Sequence, residues 1–131
     1  MKVERLEVNE VFGFEKLEVW QKAIALASFV YKTTATFPHE ERFGLVSQMR
    51  RAAVSVSANL AEGSSRWSRV EQARFIEMAY GSLMELLSEA KVAEQQGFLS
   101  SADYTRLRTD VAEIARMISG LRRGLLDEVQ Q

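Results

Sequence analysis

The sequence predicts an all-α fold, an up-down-up-down left-handed four-helix bundle, and three observations indicate it. Apolar residues recur every three or four positions along most of the chain, which is the spacing of one face of a helix. The 131 residues include one proline and seven glycines, so little interrupts regular structure. No segment alternates apolar and polar residues between turn signals as a strand does. The length suits a single domain.

The first predicted helix, helix A, covers about residues 15–36. It ends at Phe37-Pro38, because proline disfavours helical geometry in the residue before it. Its predicted buried face consists of Leu17, Trp20, Ile24, Ala27 and Tyr31.

Helix B is predicted at about residues 41–62 and is unusually rich in small side chains, which favours a close approach to another helix. Gly63 is expected to end it. Its predicted apolar face consists of Leu45, Met49, Ala52, Ala53, Val56 and Leu60.

Helix C is predicted at about residues 68–96, where Ser68 and Glu71 have the spacing of a capping box. Gly97 occupies the position where a helix end requires positive φ. Gly81-Ser82 are the counterpart of the small residues of helix B. The predicted buried stripe is Ile76, Ala79, Leu83, Leu86, Ala90 and Ala93.

Helix D is predicted at about residues 101–125, with Ser100 and Asp103 as a second capping-box pair. Its apolar stripe is the most regular: Tyr104, Leu107, Val111, Ile114, Ile118, Leu121 and Leu125. Residues 14–126 are therefore predicted to form the bundle, with an N-terminal extension at 1–13 and a C-terminal tail at 127–131.

Composition excludes several classes of protein. The chain has no cysteine and one histidine, so it contains no disulfide, no thiol nucleophile and no multi-histidine metal site. Phosphate-binding glycine motifs and the Glu-x-x-His pairs of di-metal bundles are both missing. We therefore expect no enzymatic activity, no catalytic residue, no metal, no cofactor and no small-molecule substrate.

The charge pattern and hydropathy bear on partners and location. Seventeen basic and eighteen acidic residues give a net charge of -1, which weighs against strong nonspecific binding of nucleic acid. No apolar stretch approaches the roughly 20 residues of a membrane span. The N-terminal residues lack a signal-peptide core. The expected location is the cytoplasm, with no membrane partner.

A polar row follows helix B at helical spacing and faces polar residues of helix C. Three interpretations stay open: a solvated face, an internal network across the helix pair or a subunit contact, and a catalytic row. We expect Arg51 to bridge to Glu85 or Glu62, which would determine register more than stability. The candidate network is Gln48, Arg51, Ser55, Asn59, Glu62 and Glu85.

Basic residues that are distant in sequence are expected to converge at one end of the bundle. The up-down order places the start of A, the end of B, the start of C and the end of D at the same end, which we call the arginine pole. Ion pairing with local carboxylates and contact with an anion or RNA both stay open; in the second case arginines would hold phosphate and Trp67 would stack on a base. The candidate residues are Arg66, Trp67, Arg69, Arg74, Arg122 and Arg123.

Two helices carry more apolar residues than one buried stripe requires, which favours self-association. The extra residues are Val19, Leu26, Phe29 and Val30 in helix A, and Val70, Met78, Met84 and Leu87 in helix C.

Several motifs together resemble the bacterial four-helix-bundle family named for the 23S ribosomal RNA intervening sequence. They are residues 17–23 (LEVWQKA), 37–45 (FPHEERFGL), 51–55 (RAAVS), 58–63 (ANLAEG) and 79–86 (AYGSLMEL), with Gln48 and Phe75. The most specific is Asn-x-Ala-Glu-Gly at the end of helix B. The match extends over about residues 14–123.

The resemblance implies an up-down four-helix bundle, often a ring-like homopentamer, with no established enzymatic activity. The family is also similar to a related bundle protein, the pentameric accessory protein of diversity-generating retroelements, which binds nucleic acid and a reverse transcriptase. We therefore expect a non-enzymatic homo-oligomeric interaction protein. The alternative is a nucleic-acid-binding accessory protein, with RNA or DNA at the arginine pole.

Overall fold

The computed structural model describes the backbone of residues 12–130 and the side chains of residues 12–127. Over this range the chain is helical, without a strand, which confirms the all-α class. Short 3-10 helices cover Gly13–Lys16 and His39–Glu41. The α-helices are α1 (Glu18–Thr34), α2 (Leu45–Ser64), α3 (Arg69–Gln95) and α4 (Ser101–Gln130). Most of the predicted extension at 1–13 lies outside the described residues.

The four helices pack in chain order around a common core. Each contacts the next, and α4 closes against α1. Contacts between helix ends show that neighbours are antiparallel: Arg50, near the start of α2, bonds to Thr34 at the end of α1, and Gly63, near the end of α2, lies against Phe75 near the start of α3. Further along, Arg122 near the end of α4 bonds to Glu77 in the first half of α3. The order is therefore up-down-up-down.

The core contains the apolar stripes predicted for α2, α3 and α4. Every member of the α3 stripe is buried, as are Met49, Val56 and Leu60 of α2. In α4 the residues from Leu107 to Ile118 at stripe positions are buried, with Tyr104 and Leu121 half-buried at its flanks. Helical periodicity alone therefore identifies three of the four buried faces.

The buried face of α1 agrees with the prediction only in part: Ala27 is buried, and Leu17 and Trp20 pack partly buried against the core. Ile24 and Tyr31, predicted to be buried, are 41% and 46% exposed. The residues expected to widen an exposed arc are instead core: Val19, Leu26, Phe29 and Val30. Both sets of residues recur at helical spacing, and the neighbouring helices α2 and α4 determine which set is buried. These four residues of α1 therefore give no support to self-association.

Several helix ends also differ from the prediction. Before α1, the Phe12 N–H donates to Glu15 Oε1 at 2.9 Å in a 3-10 turn, so α1 begins at Glu18 and not at residue 15. The α2 helix begins at Leu45 and not at residue 41. The Leu45 N–H at its start donates to Glu41 Oε2 at 3.2 Å. At the other end of the chain, α4 continues to Gln130, through most of the predicted tail.

The serine half of the predicted capping box is present in both α3 and α4. Ser68 Oγ accepts from the Glu71 N–H at 3.0 Å, and Ser100 Oγ accepts from the Asp103 N–H at 3.1 Å. Gly97 has φ of 79°, the left-handed conformation that favours glycine.

Small residues bring α2 and α3 close together. Gly63 does not end α2 but lies buried inside it, where an added Cβ would be 2.9 Å from Phe75 Cβ. Ser82 contacts α2 as expected, yet Gly81 does not, since a Cβ added there meets nothing within 4 Å. The close approach therefore depends on Gly63 and the serines, and Gly81 faces outward.

Candidate functional site

The polar row of α2 forms a short network with α3. Ser55 Oγ and Ser82 Oγ are 2.8 Å apart. Asn59 Nδ2 donates to the Ser55 carbonyl oxygen at 2.9 Å and to Ser55 Oγ at 3.0 Å. These three half-buried side chains satisfy one another's hydrogen-bonding groups across the helix pair. For these residues the structure agrees with the interpretation of the row as an internal network.

The other members of the row lie outside this network. The Arg51 prediction is wrong: among the side chains of residues 12–127 it forms no ion pair with Glu85 or Glu62. Glu62 instead binds Arg66 at 2.8 Å, one turn along the same helix. Gln48 and Arg51 are exposed, and neither takes part in the network.

Glu85 interacts with a second carboxylate, Glu89, one turn further along α3. Burial, then the charge of Glu85 and a hydrogen bond with it, raises the pKa of Glu89 to about 7. Glu89 Oε1 is buried without a partner among the described residues. Among all the residues that the structure describes, no three acidic or histidine side chains lie close enough together to hold a metal ion.

The structure brings the helix ends of the arginine pole together. A cavity of about 210 Å³ is lined by residues from the start of α1, the end of α2, the start of α3 and the end of α4. Its lining residues are Leu17, Leu60, Gly63, Ser64, Arg69, Gln72, Ile76, Leu121 and Leu125. Arginines distant in sequence therefore share this end of the bundle.

Three arginines of this pole are paired with carboxylates. Arg66 binds Glu62, and its guanidinium lies 4.4 Å from the centroid of the Phe75 ring. Arg122 Nε is 2.6 Å from Glu77 Oε1. Arg74 is 3.9 Å from Glu71. Exposed pairs of this kind contribute about 0–1 kcal/mol each, so a polyanion can compete for these arginines.

The remaining candidates at this pole are exposed. Arg69 donates to Gln72 Oε1 at 3.3 Å, and Arg123 faces solvent. Trp67 is fully exposed in the α2–α3 connection. A tryptophan in such a position is available for contact with another molecule.

The outward face of α3 is a second candidate surface. Val70, Met78 and Val92 are about half exposed on this face, opposite the buried stripe. Met84 and Leu87, also predicted to widen the apolar arc, are instead partly buried against the core. Gly81 and Ser88 lie on the same outward face and are exposed.

A further set of arginine and aromatic residues was missed by sequence reasoning. Tyr31, Arg42, Phe43, Arg50 and Arg51 line one cavity between α1 and the start of α2. The prediction of a buried Tyr31 left this residue out of any surface cluster. The available signal was the pair of adjacent motifs Arg42-Phe43 and Arg50-Arg51, two helical turns apart.

Similarity to known proteins agrees with the fold and the motifs. Among the described helices, none is both long and apolar enough to cross a membrane. Comparison with curated proteins gives no match. The chain is similar to a crystal structure of a protein of unknown function from the S23 ribosomal protein family of Bacteroides thetaiotaomicron VPI-5482. Identity is 19% and the TM-score 0.72, covering 79% of this chain and 97% of that one.

At that level of identity the similarity establishes the shared bundle fold. The family is established by sequence: the profile described as 23S rRNA-intervening sequence protein matches residues 15–120. That range extends from the turn before α1 into α4 and contains the Asn-Leu-Ala-Glu-Gly end of α2 with its packing against Phe75. The chain therefore belongs to the 23S rRNA-intervening sequence protein family.

Proposed function

We propose that this protein is a non-enzymatic interaction protein that assembles with copies of itself through the outward face of α3. The observation that carries the proposal is the row of exposed apolar side chains Val70, Met78 and Val92. The core already uses the opposite face of α3, so the bundle leaves this row to water. The three side chains lie about two and four helical turns apart along one face, so a helix of a second copy packed along α3 would cover all of them.

Gly81 supports the same surface. Glycine inside a helix costs up to about 1 kcal/mol relative to alanine. Nothing within the bundle offsets this cost, since a Cβ at Gly81 meets no atom within 4 Å. A helix of a second copy that approaches closely at Gly81, and at the exposed Ser88, would offset it.

Composition and resemblance support the remaining features of the proposal. The one histidine, His39, is exposed on a 3-10 helix, away from Ser55 and Ser82, so the described serines have no histidine to activate them. A ring of five copies is the assembly that the family resemblance suggests. A left-handed bundle twist is the usual packing of such antiparallel helices, and the cytoplasm is the expected location.

The test is the molar mass in solution, measured by light scattering over a range of concentrations. The double variant Met78→Glu with Val92→Glu places two charges on the outward face of α3. Thr105→Glu with Thr109→Glu places two charges on the exposed face of α4 as the matched control. We expect an oligomer for the wild type and the control, and a shift toward monomer for the α3 variant. A monomeric wild type, or an α3 variant that assembles fully, would contradict the proposal.

The second candidate function is nucleic-acid binding at the arginine pole, and the full exposure of Trp67 between Arg66 and Arg69 favours it. The ion pairs of Arg66, Arg74 and Arg122 compete with it. Assembly would strengthen a weak site through avidity.

An RNA titration across salt concentrations tests this candidate. The variant replaces Arg66, Arg69, Arg122 and Arg123 with alanine, and the control replaces Lys32, Lys91, Arg108 and Arg116. Phosphate contact predicts an affinity that falls with salt, with a shallower dependence in the pole variant alone. Identical curves for the variant and the wild type would remove this candidate.

A further inference from the structure

The end of the bundle opposite the arginine pole carries a cavity of about 440 Å³ between the end of α1 and the start of α2. We call it the Arg42–Arg51 pocket. Three of its lining residues are arginines, two are aromatic, and none is acidic. They are Tyr31, Arg42, Phe43, Val46, Ser47, Arg50, Arg51 and Val54.

The arginines of this pocket keep their positive charge unpaired by carboxylate. Arg50 Nε donates to Thr34 Oγ1 at 2.9 Å and its Nη2 to the Tyr31 carbonyl oxygen at 3.3 Å, which are neutral acceptors. Arg42 and Arg51 are exposed, and among the side chains of residues 12–127 neither forms an ion pair. The pocket is thus a positive region on a chain of net charge -1.

Among the described side chains, the carboxylates nearest in sequence form no ion pair with the arginines of the pocket. Glu41 Oε2 accepts the Leu45 N–H at the start of α2, and Glu40 is exposed on the preceding 3-10 helix. The arginine pole differs, because three of its arginines bind a glutamate directly. An anion can reach the guanidinium groups of the Arg42–Arg51 pocket directly, whereas at the pole it must first displace a glutamate from three of the arginines.

The aromatic residues supply a second kind of contact. Phe43 is 88% exposed, and the Arg42 guanidinium lies 5.4 Å from its ring centroid. The Arg50 guanidinium lies 4.6 Å from the Tyr31 ring centroid, which orients Arg50 at the wall of the pocket. An exposed phenyl ring beside fork-shaped cations is the combination that binds a base and its phosphate.

We propose that the Arg42–Arg51 pocket binds a nucleotide unit, with the phosphate on Arg42 and Arg51 and the base stacked on Phe43. A free nucleotide and a single-stranded nucleic acid share this chemistry, whereas a duplex keeps its bases stacked internally. A neighbouring cavity of about 280 Å³ shares Arg42, Val46 and Arg50 and extends the surface toward His39. The proposal is independent of self-association and of the arginine pole.

Binding is measured by fluorescence anisotropy with a labelled short oligouridylate and by calorimetry with AMP. Arg42→Gln with Arg51→Gln tests the phosphate contact, and Arg108→Gln with Arg116→Gln on α4 is the control. Phe43→Ser tests stacking, with the exposed aromatic Tyr80→Ser on α3 as the control. All of these side chains are exposed, so circular dichroism and light scattering should show an unchanged fold and assembly.

We expect the double arginine variant to lose about tenfold or more in affinity and to flatten the salt dependence by about 0.7 per lost phosphate contact on a single strand. Phe43→Ser should lose about fivefold or more, the range of one stacked base. If the pocket variants weaken the binding of AMP, the ligand is a free nucleotide. If they weaken the binding of the oligouridylate alone, the ligand is a single strand.

Four results would overturn the proposal: no binding of either probe by the wild type, pocket variants equal to their controls, a duplex bound as tightly as the single strand, or polyglutamate bound as tightly as the oligouridylate. The last two would mean that only charge is recognised. Should the double variant fail to fold, the comparison of Phe43→Ser with Tyr80→Ser decides.

Discussion

Individual glycines have three different roles in this bundle. Gly97 ends α3 with φ of 79°, where other residues are strained. Gly63 is helical and buried, and its missing side chain makes room for Phe75. Gly81 is helical and exposed, with open space around it. The first role follows from the local sequence, whereas the other two depend on what lies next to the helix.

Gly63→Ala is expected to destabilise the protein. The new Cβ would lie 2.9 Å from Phe75 Cβ and 3.3 Å from the Gln72 carbonyl oxygen, neither of which is the end of a flexible side chain. Overpacking of this kind costs about 1–3 kcal/mol, which exceeds the gain of up to about 1 kcal/mol in helix propensity. Chemical denaturation measures the difference. Gly120→Ala, in open space, should be neutral or stabilising, and a stable Gly63→Ala protein would contradict the packing role.

Glu89 is expected to make stability depend on pH. Burial raises its pKa from 4.5 to about 7, so the folded chain binds this proton more tightly than the unfolded chain. The contribution is therefore most favourable below the unfolded pKa and is lost as pH rises through about 7.

Glu89→Gln should thus stabilise the protein above that pH, by about 1 kcal/mol after allowance for solvent screening. The gain should shrink in acid. Urea denaturation on both sides of the transition measures it, with the exposed Glu40→Gln as control. A gain that does not vary with pH would argue against titration of Glu89.

Among the elements, α1 and the α2–α3 pair show what periodicity leaves open. Helix α1 carries two apolar rows, one through Ile24 and Tyr31 and one through Val19 and Val30; the second is buried, whereas Ile24 and Tyr31 of the first are exposed. Either row satisfies the period of a helix. In α2 the small residues correctly predicted a close neighbour, because narrow side chains in a helix need a tertiary reason.

The Ser55–Ser82 hydrogen bond is expected to show energetic coupling between α2 and α3. Removal of either hydroxyl leaves the other without one partner, so Ser55→Ala and Ser82→Ala should each cost about 1 kcal/mol. The double variant should cost less than the sum, by about 0.5–1 kcal/mol. A double-mutant cycle by chemical denaturation measures this coupling, and the exposed pair Ser28→Ala and Ser119→Ala should be additive. Additivity at Ser55 and Ser82 would mean that their contact contributes nothing.

At the scale of the whole molecule, the exposed ion pairs add little stability, and the core provides most of it. Lys22 with Glu113 joins α1 to α4, and Arg122 with Glu77 joins α4 to α3. Such pairs are screened by solvent. They are better understood as aids to register between helices whose apolar faces are already matched.

Self-association through α3 predicts a melting temperature that rises with protein concentration, because binding between folded copies stabilises the folded state by mass action. Calorimetry or circular dichroism over a wide concentration range measures it. The dependence should be weaker in the Met78→Glu, Val92→Glu variant and unchanged in the Thr105→Glu, Thr109→Glu control. A melting temperature independent of concentration in the wild type would count against assembly.

The order of amino acids is enough to predict the class of fold, the four helices, the caps at Ser68, Ser100 and Gly97, and three of the four buried faces. These features depend on interactions between residues a few positions apart, which the order of amino acids contains directly. The same order placed the arginine pole at one end, since short connections force neighbours to be antiparallel.

The packed bundle is needed to show which residues of α1 are buried, which arginines bind a carboxylate, and that Tyr31 lies with Arg42, Phe43 and Arg51 around one pocket. Each of these depends on the rotation of one helix against another. That rotation is set by the packing of whole side chains in the core, and a repeat along one helix carries no information about the side chains it will meet.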